Sequence, residues 1–175
     1  KEPSTSEGWV AKSAKLFLLG EIGTALESIE KSLYLNPTNS EAWLLKAKLL
    51  AAGDDRTKEA LQAVRRASAL GEYTVLLESE ILENDGKLDS ARAVLEEWLE
   101  KTPSDAEARG RLSLVLFRAG AIDWATKVLH EAPAEAWENA SLHVMEGRLH
   151  LLAADEDRDR TGNHYHIILL DATIS

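Results

Sequence analysis

Residues 9–37 read WVAKSAKLFLLGEIGTALESIEKSLYLNP, and their apolar positions fall three or four apart: Trp9, Leu16, Leu19, then Leu26, Ile29 and Leu33. That spacing is helical, not the strict alternation of a strand. Gly20 separates the two apolar runs, where a left-handed residue closes a helix, and Pro37 stops the second run by removing a backbone donor. The stretch is one helix-turn-helix unit, and it recurs. Trp9 and Trp43 are 34 apart, and Gly86, Ala91 and Leu95 return 34 later as Gly120, Ala125 and Leu129. Leu16, Gly20, Ala25, Ile29 and Pro37 return 66 later as Leu82, Gly86, Ala91, Leu95 and Pro103, one repeat of 34 plus one of 32. A small residue keeps one phase at Ser13, Ala47, Ser79, Ser113 and Ser141. Such a period marks a repeat array, in which each hairpin buries its apolar stripe only against its neighbours.

The period divides the chain into a disordered lead, 1–5; units 6–39, 40–71, 72–105 and 106–133; a partial fifth unit, 134–153; and an irregular tail or cap, 154–175. Gly20, Gly53, Gly86 and Gly120 are predicted to end first helices. Thr57, Asp89 and Asp123 are predicted to cap second helices, with Gly23 in the equivalent place of the first unit. Thr38 and Ser104 each stand three residues before a Glu, the capping-box pattern that announces the next unit. Pro133 shortens the fourth unit, so the fifth is predicted to open at Ala134, with Trp137 in phase with Trp9 and Trp43. From Asp155 the pattern gives way to a charged run and then to the apolar Ile167 to Leu170, which suits a cap, a short strand or an appended segment.

The series Trp9, Ser13, Leu16, Gly20, Ala25, Ile29, Ser32, Pro37 resembles a tetratricopeptide repeat. The third unit follows it through Ser79, Leu82, Gly86, Ala91, Leu95 and Pro103, with Val75 replacing the opening Trp. The second keeps Trp43, Ala47, Leu50, Val64 and Ala67 but has Gly71 where a Pro is expected, and the fourth begins with Arg109. The resemblance spans roughly residues 6–152. It implies an all-α fold, an α-solenoid of about four to five repeats in a right-handed superhelix, with first helices lining the concave face. It also implies a scaffold for protein partners, not an enzyme.

Composition narrows the function further. The 175 residues carry 45% apolar and 29% charged side chains with a net charge of −10, which disfavours nucleic acid and anionic membrane surfaces. The absence of Cys removes thiolate nucleophiles and Cys-ligated metals, and no apolar run reaches the roughly 18–20 residues of a membrane span. Compartment stays open, with cytoplasm favoured and periplasm an alternative; the initial Lys1 reads as an internal position of a longer chain. No nucleophile elbow, phosphate loop or paired acid motif is present, so neither a catalytic residue nor a cofactor is expected. His143, Glu146 and His150 share a helix, but nothing else completes a coordination shell, and no metal is expected.

The phase of the repeat selects inward side chains. Phe17, Leu44, Tyr73, Leu76 and Phe117 are predicted as apolar anchors; Glu41, Glu80, Glu83 and Glu107 set an acidic character around Lys48. With Glu135, Glu138 and Glu146 added, carboxylates outnumber Lys48 and Arg118 on this face, so a peptide or helix with basic and apolar residues is the expected partner. The Lys, Arg and Asn set with which some members of this family hold a chaperone C-terminal carboxylate is missing at these positions. Trp9, Trp43 and Trp137 are expected as wedges between helices, and Trp124 as an exposed convex-face residue. Two alternatives stand beside the scaffold: a recruiting arm of a larger enzyme or assembly, and self-association through the C-terminal end.

Overall fold

A computed structural model describes residues 2–53 and 56–161. Its helices are α1 Ser6–Leu18, α2 Ile22–Leu35, α3 Ser40–Ala51, α4 Thr57–Ala69, α5 Val75–Asn84, α6 Leu88–Lys101, α7 Ala106–Arg118, α8 Ile122–His130 and α9 Ala140–Thr161. No strand occurs among the described residues. Each odd helix packs on the next even one as a hairpin, each even helix packs on the following odd one, and α1 meets α3, α5 meets α7 and α7 meets α9. This is a solenoid: first helices side by side on one face and second helices on the other.

Small residues set the helix spacing. Ser13 and Ser113 are fully buried, and each Oγ donates to the carbonyl of the Ala on the opposing helix, Ala25 and Ala125, at 2.8 Å. Fully buried Ala47 and Ser79 hold the same place in the second and third units. Ser6, Ser32 and Asn39 join one unit to the next: Ser32 Oγ donates to Ser6 O at 2.9 Å and Asn39 Nδ2 to Ser6 Oγ at 2.8 Å. The apolar core falls into three clusters, around Ile29 and Leu49, around Leu50 and Val64, and a larger one around Leu95, Leu129 and Leu142.

The turns depart from expectation in one consistent way. Gly20, Gly86 and Gly120 take φ of 78°, 73° and 78°, and the next residue donates its N–H to the carbonyl five residues back, as Lys87 does to Leu82 at 2.8 Å. That next residue is already the cap of the second helix, so Gly23, Asp89 and Asp123 lie in the first turn of their helices, and among the described residues no side chain caps α2, α4, α6 or α8. Thr57 likewise opens α4 as its first residue. Gly53 does not take a positive φ; Gly71, after α4, does, at 97°. First helices are capped one residue later than the hydroxyls predicted: Asn39 accepts from Ala42 N–H and Asp105 from Ala108 N–H, both at 3.0 Å.

Residues 2–5 lead into α1, with Thr5 capping that helix by accepting from Gly8 N–H at 3.1 Å and Glu2 within 4 Å of Lys12 and Lys31. The C-terminal end is also corrected. The helix expected to open at Ala134 is a 3-10 turn, Ala134–Glu138, and α9 begins at Ala140, 34 residues after α7. Pro133, extended at ψ 155°, halts the chain without shortening the period. Gly147, not Ser141, therefore keeps the phase of Ser113, and His143, not Trp137, keeps that of Arg109. The position is defined by a bond. Trp43 Nε1 donates to Pro37 O at 2.9 Å, Arg109 Nη2 to Pro103 O at 2.8 Å, and His143 Nε2 to Trp137 O at 3.1 Å, each to the carbonyl six residues earlier. The run from Asp155 to Arg160, predicted as the start of an irregular tail, continues α9. Ile167 to Leu170 lie outside the described residues.

Candidate functional site

Two of the five predicted anchors, Phe17 and Tyr73, line separate openings, and Leu44, Leu76 and Phe117 line neither. Phe17, Lys48 and Glu80, from α1, α3 and α5, line one cavity of about 330 Å³ with Ala51, Ala52, Leu77 and Asn84. Tyr73 and Glu107 line a wider opening of about 620 Å³ with Asp105, Glu135, Glu138 and Asn139. Leu44 is half-buried on α3, Glu41 is exposed in its first turn, and Leu76 and Phe117 rest half-buried on the large core cluster. The inner face thus offers apolar patches between acidic ones rather than one continuous acidic trough.

Glu83 does not belong to the exposed set. Its side chain is wholly buried between two arginines of α7: Arg118 Nη1 donates to Oε2 at 2.6 Å, and Arg111 Nε lies 2.7 Å from Oε1 without aiming its N–H along that line. A carboxylate buried this way is neutralised and ties α5 to α7, so it gives no acidic character to the surface. The phase of the repeat pointed Glu83 correctly inward, but α7 closes over it.

Tyr73 is fixed rather than free. Its hydroxyl donates to Asp105 Oδ2 at 2.9 Å, the same oxygen that accepts from Trp98 Nε1 at 2.7 Å, and its ring meets Trp98 edge-on at 5.4 Å. Burial, then the Asp105 carboxylate, pushes its phenol well above the usual tyrosine range. Asp105 also caps α7, so one carboxylate receives three donors. Tyr73 keeps 42% of its surface exposed beside Glu107. Sequence reading missed Asp105, whose signal was its place next to the predicted cap Ser104.

The six-residue shift in the fifth unit changes the inner face there. Leu142 is fully buried and Met145 packs over Gly110; Glu146 sits 3.2 Å from His130. Glu135 and Glu138 lie in the 3-10 turn and not on a first helix. Val144 and Leu151, 34 residues after Gly110 and Phe117, are exposed apolar residues of α9. His143 bonds to Trp137 O and Glu146 to His130, so these two residues of α9 are drawn to different partners. Among the described residues no group of three or more ligand-type side chains forms a metal site, and no helix is long and apolar enough to cross a membrane. Trp124 is 60% exposed on α8, with Lys127 Nζ 4.6 Å from its ring centroid.

No family model matches the sequence, and no curated protein matches it. Solved structures do share the fold. TTC0263, a thermophilic tetratricopeptide-repeat protein from Thermus thermophilus, is 20% identical with a TM-score of 0.66, over 85% of this chain and 83% of that one. MamA from Desulfovibrio magneticus RS-1 is 16% identical with a TM-score of 0.63, over 92% of each chain. YrrB, described as a tetratricopeptide-repeat protein with an unusual peptide-binding site, is 18% identical with a TM-score of 0.58, over 90% of this chain and 87% of that one. The chain therefore has the fold of a tetratricopeptide-type α-solenoid.

Proposed function

We propose that the protein is a non-catalytic scaffold that binds a peptide or helix of a partner protein along the inner face of its first helices. The observation that carries this reading is the pattern of that face. Phe17, Leu44, Leu76 and Phe117 stay partly exposed on neighbouring first helices, while Glu41, Glu80 and Glu107 make no ion pair with a described residue. Partly exposed apolar groups supply affinity on burial, and unpaired carboxylates favour a basic partner and steer its encounter. The peptide-binding site named for YrrB supports the same use of this fold. The test is capture of a partner by the wild-type chain beside a variant carrying Glu41→Lys, Glu80→Lys and Glu107→Lys. A partner retained by the wild type and lost by the variant, with retention falling as salt rises, is the expected result. Equal retention by both overturns the reading.

Self-association has support from one feature of α9. Gly147, in the phase filled by fully buried small residues in the other four units, has no described residue within 4 Å of where its Cβ would stand, and Val144 and Leu151 beside it are exposed. Sedimentation velocity over a range of concentrations tests that reading; a mass independent of concentration removes it.

A further inference from the structure

Two positions at the inner end of each first helix carry large or polar side chains: Phe17 and Leu18 in α1, Glu83 and Asn84 in α5, Phe117 and Arg118 in α7. At the end of α3 the same two positions are Ala51 and the C-cap residue Ala52. The missing bulk leaves the cavity of about 330 Å³ between Phe17 on one side and Leu77 and Asn84 on the other. Lys48 and Glu80 border it from adjacent first helices, at the same place in their repeats. They carry opposite charges, yet neither pairs with the other or with any described residue. A gap with an alanine floor, an aromatic wall and two exposed opposite charges at its border has the chemistry of a side-chain socket with a built-in polarity.

We propose that this gap receives one bulky apolar side chain, leucine or phenylalanine, from a partner segment with a carboxylate toward Lys48 and a basic group toward Glu80. The proposal rests on the inner face being the binding surface and names the partner chemistry it selects. An apolar anchor filling a pocket between flanking charges concentrates affinity at one residue, and the charges fix the direction in which the segment lies. Glu41 and Glu107 are outside the socket and contribute charge without that directionality.

The test uses short fluorescent peptides with a central Phe, Leu or Ala, a Glu to one side and a Lys to the other, in both orders, measured by anisotropy. The wild type is expected to bind the Phe and Leu peptides at least about tenfold more tightly than the Ala peptide, and one charge order more tightly than the other. Ala51→Phe restores the residue that α1 and α7 carry at this place and is expected to erase the preference for a bulky centre. Ala52→Leu, which copies Leu18, is a second filling variant should the first lose its thermal transition by circular dichroism. Lys48→Glu combined with Glu80→Lys is expected to reverse the preferred order. Discrimination that survives a folded filling variant overturns the socket; if Glu107→Lys still weakens those peptides, the inner-face reading stands without it. Equal binding of Phe, Leu and Ala peptides by the wild type overturns the socket as well, and the capture experiment then judges the inner face alone.

Discussion

Glu83 and Glu80, one helical turn apart on α5, make opposite predictions from the same residue type. Glu83 is enclosed by Arg111 and Arg118, so Glu83→Ala leaves a part-buried guanidinium without its counter-charge and is expected to cost about 3 kcal/mol in urea unfolding. Glu80 is exposed, and Glu80→Ala is expected to fall within about 0.5 kcal/mol of wild type in the same experiment. Tyr73 gives a pH prediction. Burial, then Asp105, raises the pKa of its phenol in the folded state, so the fold favours the neutral form. That contribution is complete below the unfolded tyrosine value of about 10 and is lost as pH rises above it. Tyr73→Phe, which has no proton to lose, is expected to show a shallower decline of melting temperature in alkali, checked by thermal melts through that window. Both sites combine what sequence can and cannot say. The repeat's phase places Glu83 and Tyr73 on the inner face, but their partners come from other helices, 28 and 35 residues away for Arg111 and Arg118 and 32 for Asp105.

Helix boundaries are legible where a residue acts on its own backbone and obscure where the turn decides. Gly20, Gly86 and Gly120 end their helices in the left-handed conformation that only glycine adopts without strain, and each is readable from its place between two apolar runs. Gly53 looks equivalent, but the second unit is two residues short and its backbone does not take that conformation. Gly86→Ala is therefore expected to cost about 1 kcal/mol and Gly53→Ala to be close to neutral, read from urea midpoints. Equal losses would mean that both positions share one turn geometry. The predicted caps fail for a related reason. The glycine turn delivers the chain into the second helix with one residue to spare, which leaves Asp89 and Asp123 in the first turn, two residues past the position from which a side chain caps.

Across the whole molecule the repeat period carries most of the fold, because an array contacts only its neighbours and each unit repeats the same packing problem. The core is accordingly divided, with Leu95 fully buried in the cluster that serves α5 to α9 and Ile29 in the one that serves α1 to α3. Leu95→Ala is expected to cost about 3 kcal/mol and to speed amide exchange through α5–α9 more than through α1 and α2. A uniform loss of protection along the chain would show instead that the array unfolds as one unit. The period misplaces a whole helix in the fifth unit, where Trp137 matches the aromatic signal of Trp9 and Trp43 six residues ahead of the true register.

That false register traces to the carbonyl bonded in turn by Trp43, Arg109 and His143. An indole, a guanidinium and an imidazole have little in common except an N–H that reaches back to the entry of their own helix. Any side chain with that reach anchors the helix equally, so this site is free to drift in chemistry from copy to copy while the stacking stays constant. Kinship between these units is recorded in which oxygen is occupied, and scarcely at all in the identity of the residue that occupies it.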